Sequence, residues 1–188
     1  MRNYIGNDKV IRESVINEEG SVPMEELMQL KEKLDGERPV SWTDFPDIGL
    51  YKDQVVSYMY RQLIHFEEEG HLTSAMINNY IKGRLLPRTE GKKYNREHLA
   101  GLTEICVLKQ ILSVENTGFL LHQELQGDNQ EDFYEKFCNI LDQALTETSA
   151  QIHTDWDVGS LSDIALRLAV SSYCQKLVCE RLLEIIRN

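Results

Sequence analysis

Apolar residues recur at steps of three and four along almost the whole chain. That spacing places them on one face of a helix, whereas a strand alternates every two residues. Capping residues, glycines and prolines mark where the helical pattern starts and stops. The windows that predict a helix are 21–34, 50–66, 73–83, 95–112, 113–125, 130–152 and 161 onward. The sequence therefore predicts a fold that is mainly all-α.

One basic segment, residues 84–94, departs from this period. A proline and a glycine exclude a continuous helix there, and a pair of lysines follows the glycine. This composition fits a small two-stranded β-wing. Thr73 or Ser74 can cap the helix before the segment, and Asn95 can cap the helix after it. We therefore expect a short helix, a wing and a further helix in sequence.

Positive charge is concentrated around this segment. Between Tyr80 and His98 six basic residues stand against two acidic ones, a local charge of +4. The whole chain carries −11, so the rest of it carries −15. A polyanion is attracted to this segment and repelled by the remainder, which makes the distribution more informative than the net value.

The composition is that of an ordinary globular protein. With 188 residues, 21.8 kDa and 41% hydrophobic residues, the chain can bury one sizeable core or two small ones. No apolar run approaches the roughly 18 to 20 residues that cross a bilayer, and the first residues lack the apolar stretch of a secretory signal. We therefore expect a cytoplasmic protein without a membrane partner. Four cysteines without a CxxC pair are expected to be buried free thiols: Cys106, Cys138, Cys174 and Cys179.

The basic segment and its flanking helices read INNYIKGRLLPRTEGKKYNREHLAGLTEI. This string is similar to the head of MerR-type transcription regulators, in which a tyrosine-bearing helix leads into a Leu-Leu-Pro segment, a basic wing and a capped helix. The residues at the positions of that pattern are Tyr80, Leu85, Leu86, Pro87, Tyr94 and Leu99. Its glycine lies one place early, at Gly83, and Arg84 occupies the usual position. The resemblance implies a winged helix-turn-helix fold, with a tight turn between its first two helices, that binds DNA.

A second resemblance covers more of the chain, through the strings FPDIGLYKDQVVSYM, TSAMINNYIKGRLLP and KKYNREHLAGLTEICVLKQIL. These strings are similar to the domain-of-unknown-function 1836 family, a bacterial family with a MerR-like head. The similarity divides the chain into three parts. They are an N-terminal segment with one short helix at 1–38, a winged helix-turn-helix domain at 39–125, and a C-terminal helical hairpin at 126–188 that packs on the head or on a partner subunit.

In such a fold the second helix lies in the major groove of DNA. Its candidate contact residues, which share one side of the helix, are Ser74, Asn78, Asn79 and Lys82. Asparagine can pair with both N6 and N7 of adenine, and a lysine can contact guanine or phosphate. The candidates for phosphate contact are Arg84, Arg88, Lys92, Lys93 and Arg96. The alternative for the asparagines and the lysine pair is that they are ordinary solvated residues. We expect Tyr80 to be a packed aromatic with an exposed hydroxyl rather than a residue that contacts a base.

The last helical window is apolar over more of its circumference than a solvated surface helix would be. Its apolar residues are Ile164, Leu168, Tyr173, Leu177, Val178, Leu182, Ile185 and Ile186. An apolar surface of this extent is normally buried against another part of the protein or against a partner. Either the helical body packs around it or it forms the seam of a homodimer. We predict body packing with some dimer contact.

Catalytic signatures are lacking in the sequence. The five histidines show no metal-ligand spacing, and no nucleophile–base set, phosphate-binding loop or HExxH segment can be assembled. We therefore predict a protein that is not an enzyme and needs no cofactor or metal. Two functions stay open. One is a DNA-binding transcriptional regulator with an unidentified effector, and the other is a protein–protein interaction module that keeps the winged fold but has lost DNA binding.

Overall fold

The computed structural model describes residues 24–64, 72–127 and 129–188. Seven α-helices cover most of these ranges: α1 Met24–Gly36, α2 Lys52–Met59, α3 Ser74–Lys82, α4 Arg96–Leu108, α5 Val114–Glu124, α6 Gln130–Ala150 and α7 Val158–Arg187. One turn of 3-10 helix, Trp42–Asp44, lies between α1 and α2. No strand occurs in the described ranges, so the mainly all-α class is confirmed. None of the described helices combines the length and the apolar character needed to cross a bilayer.

Side-chain caps start four of the helices where the sequence predicts a start. In each case a side-chain oxygen accepts a hydrogen bond of 2.9–3.2 Å from a backbone N–H three residues later. The capping residues are Thr73, Asn95, Ser113 and Asn129. Each such cap stabilises its helix by about 1 kcal/mol. Local chemistry therefore fixes the starts of α3, α4, α5 and α6.

α2 is shorter than its apolar pattern predicts. The pattern runs over 50–66, but the helix ends at Met59 and a turn follows, in which Gln62 N–H donates to the Met59 carbonyl at 3.1 Å. The Gln62 side chain is buried and accepts a hydrogen bond from Val40 N–H at 3.2 Å. This contact joins the turn after α2 to a segment 22 positions earlier in the chain. Residues 60–73 therefore separate α2 from α3, where a tight turn was expected; the stop predicted at 67–70 lies outside the described residues.

α4 is the centre of the hydrophobic core, and each of its residues from His98 to Cys106 is buried. Both α2 and α6 pack against it. Leu86 approaches α4 so closely that a Cβ added at Gly101 would lie 3.1 Å from Leu86 Cδ1. Leu85 meets α5 in the same way at Gly118, where the corresponding distance to Cγ is 3.3 Å. The Leu-Leu-Pro segment is therefore held on two helices at positions that lack a side chain.

An aromatic cluster joins α6 to the segment before α2. The Tyr134 ring lies 5.1 Å from the Phe45 ring and 6.1 Å from the Trp42 ring, measured between centroids. Its hydroxyl donates a hydrogen bond of 2.8 Å to the Val40 carbonyl. Tyr134 is fully buried. The core of the head therefore extends into α6, beyond residue 125.

The expected β-wing is not present as a pair of strands in the described part of the chain. Glu90 and Lys93 form an isolated antiparallel bridge around a tight turn. Tyr94 then pairs with Leu50 through two N–H···O bonds of 2.8 Å. The residue after the turn is thus bonded to the segment ahead of α2 rather than to a second wing strand. This partner is distant in sequence, and local composition does not reveal it.

The two C-terminal helices have different neighbours. α6 lies against α1 and α4, with Lys31 Nζ donating to the Ser149 carbonyl at 2.7 Å. α7 makes its main contact with α5, where Arg187 pairs with Glu115 at 3.5 Å and its Cζ lies 4.5 Å from the centre of the Phe119 ring. Along α7 a single residue, Leu183, is buried. The predicted packing of the body around this helix is therefore limited to Leu183 and a few half-buried residues, among them Leu161, Ile164 and Cys179.

The cysteines also differ from the prediction. Cys106 is buried, and burial raises the pKa of its thiol to about 11. Cys138 and Cys179 are half-buried, and Cys174 is exposed. The prediction of buried thiols is right for Cys106 and wrong for Cys174, because Cys174 lies on a side of α7 that no described residue covers.

Candidate nucleic-acid interface

α3 turns one side to the core and the other to solvent. Ile77 and Tyr80 are buried on the core side, and burial raises the pKa of the Tyr80 hydroxyl. The prediction that the ring of this tyrosine is packed is confirmed, since the whole residue is 4% exposed. The predicted contact residues lie on the remaining surface: Asn78, Asn79 and Lys82 are exposed and Ser74 is half-buried. A macromolecule can therefore reach three of the four.

A residue of α2 that the sequence reasoning missed joins this surface. Lys52 Nζ donates a hydrogen bond of 2.6 Å to Asn78 Oδ1, across 26 positions of sequence. The contact occupies the oxygen that Asn78 would use in a bidentate pair with adenine. The side chain of Asn79 forms no hydrogen bond with a described residue. The sequence held one signal for this contact. Lys52 lies in the first turn of α2, where a lysine is unfavourable against the helix dipole.

The basic turn is held beside the start of α2. Gly91 and Lys92 have φ of 61° and 74°, the two left-handed residues that a type I′ turn requires. Lys93 follows, and its Nζ lies 5.6 Å from the centre of the Tyr51 ring. A Cβ added at Gly49 would lie 2.9 Å from Lys93 Cβ. The glycine therefore permits the turn to approach the segment before α2.

These contacts connect the turn to α3. Lys93 reaches Tyr51, the adjacent Lys52 reaches Asn78, and Lys82 lies one helical turn beyond Asn78. We call the resulting set the cationic surface. It comprises Lys52, Asn78, Asn79, Lys82, Lys92 and Lys93. The structure thus brings together five of the DNA-contact residues that the sequence predicts. Lys52, which was not predicted, links them.

Two basic residues have a strained backbone conformation. Arg84 and Lys92 have φ of 60° and 74°, and they are the two non-glycine residues with positive φ in the described ranges. The left-handed conformation costs a residue with a Cβ about 1–2 kcal/mol. Neither side chain forms a hydrogen bond or ion pair with a described residue. Strain of this kind is concentrated at functional sites, so both positions are candidates for a role outside the folded chain.

The predicted arginines are placed differently from the lysines. Arg84 lies beside α5, and Arg88 is exposed ahead of the turn. Arg96 is half-buried, forms an ion pair with Asp47, and has its Cζ 5.9 Å from the centre of the Trp42 ring. Among the described residues, the side chains of Arg84 and Arg96 form no hydrogen bond or ion pair with the cationic surface. Arg96 is therefore held by the fold itself.

One buried carboxyl lies apart from this surface. Glu104 of α4 is 1% exposed and accepts a hydrogen bond of 2.9 Å from Gln130 Nε2. Burial raises the pKa of Glu104 to about 8, against an opposing effect of the hydrogen bond. Among the residues that the structure describes, no three His, Cys, Asp or Glu side chains form a metal-binding group. Glu104 is therefore an interhelical contact of α4 and α6.

The fold and the site define a mainly helical protein that carries an exposed cationic surface on an acidic chain. The chain belongs to the family described as Domain of unknown function (DUF1836), whose model matches residues 40–138. The match ends inside α6 and includes Tyr134, in agreement with the place of that residue in the core. No curated protein and no solved structure matches the chain.

Proposed function

We propose that the chain is a DNA-binding transcriptional regulator and that the cationic surface contacts duplex DNA. The observation that carries this proposal is the junction of the turn, α2 and α3 through Lys93, Tyr51, Lys52 and Asn78. It gathers lysines into one exposed area of a chain whose net charge is −11. A phosphate backbone is attracted to such an area and repelled elsewhere, which fixes the orientation of the bound protein.

Under this proposal the arrangement of α2, α3, the basic turn and α4 is a MerR-like winged helix-turn-helix. α3 enters the major groove with its exposed side, and the turn lies along the phosphates. Asn79 has a free carboxamide for a bidentate pair with adenine. Asn78 orients Lys52 towards a phosphate, since its oxygen already accepts from that lysine.

The strained cations support the same proposal. At the position of Arg84 the resembled pattern has a glycine, which adopts positive φ without strain. A glycine would serve the turn at Lys92 equally well. The chain instead has an unpaired cation at both positions. Contact with an anion gives these side chains a role that outweighs the local strain.

The test is selection of bound duplexes from a random pool, followed by titration of the selected duplex at several salt concentrations. We expect the affinity to fall steeply with salt, because cations of the protein displace counterions. Lys82→Ala and Lys92→Ala should each weaken binding on all duplexes and reduce the salt slope by about 1. Lys109→Ala is the matched control, because Lys109 follows the other end of α4, about 20 Å from the turn. The proposal is contradicted if no duplex binds at low salt, or if the affinity does not change with salt concentration.

Sequence choice is tested at α3. Asn79→Ala should relax the base preference at one position of the selected duplex, by about 1–3 kcal/mol of discrimination. Asn78→Ala should lower affinity more evenly, because it releases Lys52. If the base preference of the Asn79 variant is unchanged, Asn79 does not contact a base.

The second candidate function is a protein–protein interaction module that has lost DNA binding. The pairing of Arg96 with Asp47 and of Asn78 with Lys52 favours it, since both residues are engaged within the chain. This candidate predicts that no duplex is recovered in the selection. The selection therefore separates the two functions.

A further inference from the structure

α7 exposes an apolar surface that nothing in the described chain covers. The helix has 30 residues, which corresponds to about 45 Å. Nine large apolar side chains between Leu166 and Ile186 are 47–62% exposed. Monomeric proteins rarely expose a contiguous apolar patch of more than a few hundred Å². The surface therefore indicates an interface.

The charged residues of α7 are already paired inside the chain. Ion pairs join Asp163 to Arg167 at 2.6 Å, Lys176 to Glu180 at 3.9 Å, Arg181 to Glu184 at 2.7 Å, and Arg187 to Glu115 of α5 at 3.5 Å. The helix has four basic and three acidic residues. A partner recognised by its charge would find little to bind here. What is left without a partner is the apolar surface.

Four of the exposed side chains form a helix-packing stripe. Leu166, Val170, Tyr173 and Leu177 follow one another at steps of four, three and four, the spacing that keeps residues on one side for contact with another helix. Each is 47–62% exposed. A second stripe, Val178, Leu182 and Ile185, has the same spacing but lies about a third of a turn further round the helix. One straight partner helix therefore covers the first stripe but not both.

We propose that α7 packs against α7 of a second copy of the chain along the stripe Leu166, Val170, Tyr173 and Leu177. The second stripe then lies against another element of the partner, so the dimer is a multi-helix interface rather than a two-stranded coiled coil. A second copy meets the requirements of the surface, because it brings an equally apolar helix whose charges are also paired. The contact also joins the copies through a helix of net charge +1 on a chain of −11, which limits repulsion between them.

The exposed area of the two stripes approaches that of a stable dimer. A large side chain presents on the order of 200 Å² when fully exposed, and the seven side chains of the two stripes are about half exposed, so together they present on the order of 700 Å². Stable interfaces bury roughly 800 Å² per partner. The proposal is independent of the proposed function, since no residue of the cationic surface takes part.

Sedimentation velocity of the purified full-length chain tests the dimer. Reductant must be present, because Cys174 is exposed and could form an intermolecular disulfide. We expect the wild-type chain to sediment as a dimer, with the dimer fraction rising as the protein concentration is raised. Val170→Glu should yield a monomer. A monomeric wild-type chain overturns the proposal.

Gln175→Glu is the matched control, because it adds the same charge at an exposed position on the opposite side of α7. It should stay dimeric. Circular dichroism should show the same helix content in both variants, since neither side chain is buried within the chain. A dimeric Val170 variant, or loss of the dimer in the Gln175 variant, contradicts the placement of the stripe.

Discussion

The head and α7 differ in which kind of group is left without a partner. In the head the apolar side chains are buried around α4, while exposed lysines such as Lys82 and Lys92 have no ion pair among the described residues. In α7 every charged side chain is paired, while nine large apolar side chains are exposed. Under the two proposals each region therefore has a partner of a different chemistry, an anion for the head and an apolar surface for α7.

The strongest test of this difference is a pair of leucine truncations. Leu102→Ala in α4 should lower the free energy of unfolding by about 2–5 kcal/mol, because the side chain is fully buried. Leu166→Ala in α7 should change it by less than about 0.5 kcal/mol at low protein concentration, because the side chain is 62% exposed. Urea denaturation measures both. Equal losses would show that α7 is covered within one chain, and the difference between the regions would disappear.

The pH dependence of unfolding separates the regions next. The folded pKa of Glu104, about 8, lies above its ordinary value of 4.5. The unfolded chain therefore releases the proton first, so the stability that this carboxyl contributes is complete below about pH 4.5 and is lost as the pH rises to about 8. The loss reaches at most about 1.4 kcal/mol per pH unit within this window.

Glu104→Gln should flatten that decline, because the amide keeps an oxygen for Gln130 and cannot ionise. Glu184→Gln on α7 is the matched control, and it should keep the wild-type profile because its side chain is exposed. Denaturant midpoints from pH 5 to about pH 9 measure both variants. A wild-type decline in the Glu104 variant would assign the pH dependence to other groups.

The smallest expected effect concerns two adjacent lysines of the turn. Lys92→Gly should raise the free energy of unfolding by about 1 kcal/mol, because glycine adopts the φ of 74° without strain. Lys93→Gly removes the same charge and should bring no such gain. Both should weaken binding to duplex DNA by a similar factor. A gain in the two variants alike would mean that charge repulsion, and not backbone strain, destabilises the turn.

Local chemistry made most of the helices predictable. Thr73, Asn95, Ser113 and Asn129 each accept a hydrogen bond from the turn that follows them, so the starts of four helices can be read from neighbouring residues. The burial of Tyr80 was predictable for a similar reason, because helical spacing places it beside Ile77 on the core side.

Contacts between distant residues account for what the sequence did not predict. The Lys52–Asn78 hydrogen bond joins two helices. The Leu50–Tyr94 pairing replaces the expected wing strand, and the contact of Gln62 with Val40 accompanies the early end of α2. Periodicity describes one element at a time, so it does not report such pairs. The exposure of α7 was missed for the same reason, since an apolar helix gives no indication of which element covers it.

The hydrogen bond between the Tyr134 hydroxyl and the Val40 carbonyl also bears on the order in which the chain folds. It joins residues 94 positions apart, and closing a loop of that length costs about 4 kcal/mol of chain entropy. Contacts of such separation slow folding. On the ribosome the core of the head stays incomplete until α6 has been synthesised, although the cationic surface precedes it in sequence. α7 is synthesised after α6, so under the proposed dimer the head can complete its core before two chains meet through that helix.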